Sequence, residues 1–331
     1  MTDRKLRIGV GALTRRRPQM FAALLQSLAR MARPEDAEVV FLFAENDDAL
    51  SVQAEAEKLR HATGCRVRAE TEPRPGIPIA RNRVLDMALE EGCDLLTFVD
   101  DDETVREDWL VALVGTAQTR GLDLVGGPVA PGRGDQPLDR LQAACLSFLQ
   151  ARSKKRTRVR AAQAEAGRDG DQNIYTNNWC ARLSTVQRLG VRFEESLQFT
   201  GGSDTRFSLD MAAAGARIGW APGAIVDEVV PLNRLTLAYQ FSRARDQSAN
   251  GVRLRGIGAA QAIPFVALRL VDAVLNIAVT PVAGRLYLVK GVHKLGMAAG
   301  RLRGLAGLES RHYAPGTERV HGEGPPPAGR G

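Results

Sequence analysis

From Leu6 to Val125 the chain alternates between short apolar runs and amphipathic stretches, and that alternation restricts it to an α/β architecture. Leu6 to Leu13 reads as a strand, Pro18 to Met31 as a helix that tolerates Pro18 in its first turn, and Val39 to Ala44 as a buried strand. Ala49 to Ala62 is helical and ended by Gly64, and Cys65 to Ala69 is a short strand. The prolines and glycine within Glu72 to Pro78 mark a loop, followed by a helix over Ile79 to Glu91 closed by Gly92. A strand ending at Val99, a helix over Glu107 to Gly121 and a strand over Leu122 to Val125 complete the series. Such an order implies a mostly parallel sheet with helices on both faces.

One strand of that series carries the chemistry. Leu95-Leu96-Thr97-Phe98-Val99 runs directly into the four carboxylates Asp100-Asp101-Asp102-Glu103. Adjacent acids repel one another, and nothing in the local sequence neutralises them. Two readings stay open: a solvated turn lending charge to the next helix, or an oxygen-donor site for Mg²⁺ or Mn²⁺ at the carboxyl end of a strand. The same sheet edge receives Thr14-Arg15-Arg16-Arg17 after the first strand and Glu45-Asn46-Asp47-Asp48 after the second. The latter also reads as a turn with a helix N-cap at Asp47 or Asp48. Arg81, on the helix that follows the proline loop, reads as a bidentate phosphate ligand or as an ordinary solvated arginine.

The net charge of +7 is concentrated in the run Arg152 to Arg160 and in the C-terminal part, at Arg285, Lys290, Lys294, Arg301 and Arg303. Such runs meet nucleic acid, anionic lipid or phosphorylated substrates, and charge alone does not choose among them. An aromatic content of 5% argues against base stacking, so no nucleic acid is expected as a partner. Cys65, Cys93, Cys145 and Cys180 form no CxxC pair, which argues against a zinc cluster and fits a reducing compartment. Met1 to Arg7 lacks the apolar core of a signal peptide, so a cytoplasmic location is expected.

Beyond Gly126-Gly127-Pro128 the pattern loosens. Leu138 to Gln150 reads as a helix, while Arg152 to Arg160 and Ala161 to Gln172 read as a mobile surface loop. Ile174 to Leu183 reads as a strand, Ser203 to Ala214 and Leu235 to Ala249 as helices. Ile257 to Ala299 is apolar but interrupted by Arg269, Asp272 and Arg285; its uncharged stretch Ala273 to Gly284 falls short of the ~20 residues of a spanning helix. It reads as a helical pair packed on the main domain or as an interfacial anchor flanked by basic residues. Arg311 to Gly331, rich in glycine, proline and charge, reads as disordered.

Thr14, Glu45, Ala80-Arg81-Asn82 and Asp100-Asp101-Asp102, in that order, resemble the family-2 glycosyltransferases of the GT-A fold, in their bacterial exopolysaccharide-assembly branch. Gly201-Gly202-Ser203-Asp204 resembles that family's Gly-Gly-Glu-Asp turn, with Ser203 where glutamate is common. The resemblance spans Leu6 to Asn250 and implies a Rossmann-like GT-A domain over residues 1–250. A helical appendage over 251–310, read as a membrane-surface anchor, and a tail over 311–331 complete the chain.

The resemblance further implies donor binding by Thr14, Glu45, Arg81, Asp100 and Asp101, with Glu45 at the nucleobase. It implies a divalent cation, Mn²⁺ or Mg²⁺, on Asp102 and Asp100, and Asp204 as general base. Asn178, Trp179 and Gly202 are implied at the acceptor, and Arg243 and Arg245 over the leaving diphosphate. Some relatives carry a metal-binding histidine downstream, which is absent here; Glu228 is an alternative oxygen ligand or part of a surface turn. The implied activity is inverting transfer of a sugar from a nucleoside diphosphate sugar to a saccharide or lipid-linked saccharide, on the inner face of the cell membrane. Two other classes fit the residues less well. A nucleotidyltransferase lacks a glycine-rich triphosphate signature here, and a basic membrane- or nucleic-acid-binding protein would rest on Arg152 to Arg160 alone.

Overall fold

The computed structural model describes residues 4–308, apart from positions 171 and 199. Strands β1 (Leu6–Thr14), β2 (Ala37–Glu45), β3 (Arg66–Thr71) and β4 (Leu95–Asp100) alternate with helices α1 (Pro18–Arg30), α2 (Gln53–Thr63) and α3 (Ile77–Glu90). The chain continues through β5 (Glu103–Val105), α4 (Trp109–Thr119), β6 (Leu124–Gly126), β7 (Val129–Gly132), α5 (Arg140–Glu165), β8 (Asn178–Arg182) and α6 (Leu183–Leu189). It ends with α7 (Ser203–Ala213), β9 (Ile218–Trp220), β10 (Val226–Val229), α8 (Leu237–Arg255), α9 (Ala259–Ala283) and α10 (Arg285–Leu305).

The central sheet has the order β3-β2-β1-β4-β8-β6-β9. Its pairs are parallel except at β8, which runs antiparallel to both β4 and β6. Because side chains alternate along a strand, β2 sends Phe41 and Phe43 to one face and Val40 and Leu42 to the other. The first face packs on α1 and α4 through Phe21, Leu24 and Trp109; the second packs on α3 and α7 through Val84, Leu85 and Phe207. Each large side chain so buried contributes about 1.5–3 kcal/mol of transfer free energy. Gly11 belongs to this packing: a Cβ there would lie 2.7 Å from Val84, so α3 reaches β1 only over a bare backbone. A second sheet, β5-β10-β7, stands beyond the end of β4 and walls one side of the sheet edge.

Three expectations change. The basic run is not a loop but part of the 26-residue helix α5, which runs through to Glu165. Asp139 starts that helix with a capping box to Gln142, and no breaker intervenes among its good helix formers. The helix is anchored on the body by buried Cys145, Leu146, Phe148 and Ser153. Secondly, α8 extends to Arg255, so the expected domain boundary at residue 250 falls inside a helix.

Thirdly, the expected helical pair forms, but its first member, α9, is a continuous 25-residue helix, longer than the uncharged stretch alone suggests, and α10 follows it. Arg269 and Lys294 both pair with Asp272, at 2.9 and 2.6 Å, so two of the charges that interrupt the apolar pattern, Arg269 and Asp272, offset each other within α9. Among the described residues α9 is the one helix long and apolar enough to cross a membrane, by length and composition. Ile263, Val271, Val274, Leu275 and Val282 on it are exposed. Glycines at 296, 300 and 304 let α10 lie directly against the backbone of α8. The expected disordered stretch 311–331 lies outside the described residues.

Candidate active site

The carboxyl ends of β1 and β4, the second sheet, the N-terminus of α7 and the helices α5 and α8 enclose a cleft of about 700 Å³. Asp100 to Glu103 lie at its centre because the apolar register of β4, fixed against β1 and β8, ends there.

Each acid has a different environment. Asp101 is buried; it accepts from Thr14 Oγ1 at 2.9 Å and from Arg17 at 2.9 Å. Asp102 pairs with Arg234 at 3.2 Å, and Arg234 also reaches Glu228 at 3.1 Å. Glu103 accepts from the Asp100 backbone N–H at 3.1 Å and from Asn177 Nδ2 at 3.0 Å. The Asp100 side chain keeps 42% of its surface open to the cleft, with Arg81 at 4.0 Å. Arg17, Arg81 and Arg234 thus each lie against one of these carboxylates, and Arg156 and Arg243 line the same cleft.

Burial dominates the titration of the group. Enclosure by protein pushes Asp100 up to about 7, against the pull of Arg81 and with repulsion from Asp102, Asp101 and Asp204. Burial lifts Asp101 to about 6 despite Arg17. Glu103 is driven well above the usual carboxylate range by burial and by Asp100 and Asp102, and Glu228 is raised by burial and Asp102. Hard oxygen donors crowded in this way suit a divalent cation, which favours their charged form. Among the described residues no three acidic, histidine or cysteine side chains converge closely enough to complete a coordination shell.

Across the cleft, Gly202 takes φ +93°, a left-handed conformation suited to glycine, and starts α7. This turn sets Asp204 in the first turn of α7, facing the cleft, where its charge is felt at Asp100. Asp204 Oδ1 accepts from the Thr205 backbone N–H at 2.6 Å. Arg81, buried on α3, donates to Ser203 Oγ at 3.0 Å and lies 5.7 Å over the Phe193 ring, so it is fixed on both sides.

Thr14, Arg81, Asp100, Asp101, Asp102, Gly202, Asp204, Glu228 and Arg243 all line the cleft. Glu45 lies at the end of β2 with its carboxylate turned to Ser51 and to the Val52 backbone N–H at 3.2 Å, capping the approach to α2. Asn178 is buried between Trp109 Nε1, at 2.9 Å, and the carbonyls of Pro128 and Ala224. Trp179 is in the core, stacked on Phe98 at 5.8 Å; neighbouring Asn177 is the one that reaches the cleft. Arg245 turns to Asp246 at 2.9 Å.

Arg234, Arg17, Arg152 and Tyr175 also line the cleft; sequence reasoning puts Arg17 on this sheet edge and weighs the run Arg152 to Arg160 as a cover for the donor diphosphate, but gives Arg234 and Tyr175 no role. Arg17 adjoins Thr14 in sequence, a usable signal. Arg234 had no comparable signal, because its pairing with Asp102 depends on how β10 returns beside β5.

Comparisons with known proteins bear on the family and the fold. The model of the family described as glycosyl transferase family 2 matches residues 12–176. The succinoglycan biosynthesis protein ExoM of Rhizobium meliloti (strain 1021) is 37% identical over 243 residues, 73% of this chain and 73% of ExoM. Among solved structures, the mannosyltransferase PcManGT from Pyrobaculum calidifontis, in complex with GDP-Man and Mn²⁺, aligns with a TM-score of 0.59 at 15% identity. That alignment covers 91% of this chain and 87% of PcManGT. S. aureus TarS 1-349 in complex with UDP-GlcNAc aligns with a TM-score of 0.50 at 14% identity, covering 91% and 92% of the two chains. The chain spans 55% of a longer TarS structure, at a TM-score of 0.50 and 14% identity over 90% of its own length. At these identities the structural likeness establishes the fold.

Proposed function

The chain belongs to glycosyl transferase family 2, and from that premise we propose that it moves a sugar from a nucleoside diphosphate sugar to an acceptor hydroxyl with inversion at the anomeric carbon. One observation carries this reading: Asp204 and Asp100 face the same cleft, with Arg81 reaching both Asp100 and Ser203, the neighbour of Asp204. On this reading the proposed base and the acid loop that would hold the cation line one shared space. Both nucleotide sugars named in the related structures, GDP-Man and UDP-GlcNAc, belong to the proposed donor class.

Asp204 takes the proton from the acceptor hydroxyl as its oxygen bonds to the anomeric carbon. The bond from that carbon to the phosphate oxygen breaks, and its electron pair leaves with the diphosphate. Arg81 and Arg243 supply positive charge along the leaving path. Asp100 and Asp102 would hold a divalent cation, which when bound supplies Lewis-acid stabilisation at the phosphate oxygens. Thr14 and Arg17 orient the loop through Asp101. Gly202 lines the cleft two residues before the base, where the acceptor would approach. The kinship with ExoM supports a saccharide acceptor in exopolysaccharide assembly. The exposed apolar face of α9, with Arg285 and Lys290 just beyond it, supports peripheral contact with a membrane bearing a lipid-linked acceptor.

Thermal unfolding against a panel of nucleotide sugars, with and without Mn²⁺, tests the donor reading, because a ligand of the native state raises apparent stability. Cation-dependent stabilisation by a nucleoside diphosphate sugar, followed by transfer from it, is expected. Indifference to every such donor with Mn²⁺ present would overturn the reading.

A further inference from the structure

Helix α5 borders the active-site cleft on one side and a second groove on the other. This groove, of about 520 Å³, is lined by Arg152, Lys155, Arg156, Arg160 and Arg168, with Val159 and neutral polar side chains between them. Among the described residues no carboxylate lines it. Arg152, Arg156 and Arg160 follow at four-residue spacing, so like charges share one face of a helix, which disfavours the helix unless an anion joins them.

Two further features make this a built surface. The guanidinium of Arg160 is held in place, 4.4 Å over the Trp220 ring and donating to the Asn173 carbonyl at 2.9 Å. Burial and the neighbouring Arg156 draw its pKa down to about 10. Arg152 and Arg156 line both the groove and the active-site cleft, so the two spaces meet across them. Helix α5 also packs on α10, with Phe148 and His293 rings 5.0 Å apart, and α10 carries the apolar helix α9.

We propose that the groove is a second anion site, distinct from that of the donor, and that it takes a diphosphate group at the far end of the acceptor. Five convergent cations match the charge and the many acceptor oxygens of a diphosphate, and arginine forks bind such oxygens in pairs. The inference rests on the donor reading only in sending the donor's own diphosphate to the acid loop. The diphosphate group has two sources, a lipid carrier lying beside α9 or a soluble molecule.

The test uses inorganic pyrophosphate as probe, titrated calorimetrically into the full chain saturated with UDP or GDP, whichever binds. Pyrophosphate should still bind, and the double substitution Lys155→Ala with Arg168→Ala should weaken it by about tenfold or more while nucleotide affinity and melting temperature stay unchanged. Pyrophosphate that competes with the nucleotide, or ignores the double substitution, overturns the groove and leaves the donor reading intact. Failure of every nucleotide to bind, with pyrophosphate still lost on the double substitution, removes the donor reading and leaves the groove. Flotation with phosphatidylcholine vesicles, with and without farnesyl diphosphate, separates the sources. Retention gained with the diphosphate lipid and lost in the variant assigns the carrier; no gain over plain vesicles rejects the carrier and keeps a soluble diphosphate.

Discussion

Arg81 donates a 3.0 Å hydrogen bond to Ser203 Oγ across 122 positions of sequence. The same guanidinium lies 4.0 Å from Asp100, so one buried cation couples the acid loop to the turn that carries Asp204. Serine at position 203 leaves this arginine without a carboxylate on that side and frees its charge for the cleft.

Arg81→Gln removes the counter-charge of Asp100 while keeping a hydrogen-bonding side chain. Interactions with a charged group are worth about 1.5–3 kcal/mol, so kcat/KM is expected to fall by about 10- to 100-fold. Steady-state kinetics across donor concentrations checks this. A change below about twofold would remove Arg81 from the site.

Asp204→Asn and Asp102→Ala should fail in different ways. The first is expected to lower transfer by about 10²- to 10⁴-fold, the range for a lost general base, with nucleotide affinity preserved. The second is expected to weaken Mn²⁺-dependent nucleotide binding. Full turnover by Asp204→Asn, or unchanged Mn²⁺-dependent affinity in Asp102→Ala, would break the corresponding assignment.

Acid stability should depend on His293. Burial, reinforced by Arg152, Lys294 and Arg269, pulls this imidazole from 6.5 down to about 3, against a hydrogen bond with the Gln240 backbone. Between those values the unfolded chain binds a proton that the native chain refuses, so stability falls as pH falls through the window. The loss amounts to about 1.4 kcal/mol per pH unit at most. Urea unfolding at about pH 5 and about pH 8 should therefore show a smaller acid loss for His293→Gln than for the parent. Equal losses would place the acid sensitivity elsewhere.

The docking of α10 on α8 should depend on Gly300. A Cβ at that position would lie 2.0 Å from the Arg245 carbonyl oxygen, a contact that only backbone movement relieves. Gly300→Ala is expected to cost about 3 kcal/mol despite the better helix propensity of alanine. Gly251→Ala on α8, where the added methyl meets open space, is the control and should be neutral or slightly stabilising. Equal unfolding midpoints for the two variants would mean that α10 is not held by this approach.

The sheet's parallel half was legible because β1, β2 and β4 are apolar runs and the helices between them are marked by Pro18, Gly64 and Pro78, signals that lie within a few residues of one another. The acid loop was legible for the same reason, as charge placed directly after a buried strand. Local pattern failed at α5. The basic run carries no apolar periodicity of its own, and its helical state depends on the capping box at Asp139 and on buried Cys145 and Phe148 further back along the same helix. It failed again at Trp179 and Asn178. Their strand, β8, is enclosed between β4 and β6, which turns both side chains into the interior.

The sequence by itself determined the order of elements and the identity of the groups at their ends, because hydrophobic period, caps and adjacent charge are properties of neighbours along the chain. It was the tertiary structure that decided which of those groups face one another. Arg81 with Ser203, Asp102 with Arg234 and the cations of α5 beside the cleft are brought together by sheet order and helix packing. Electrostatic interaction falls with distance through space, and distance through space is set by the fold rather than by position in the chain.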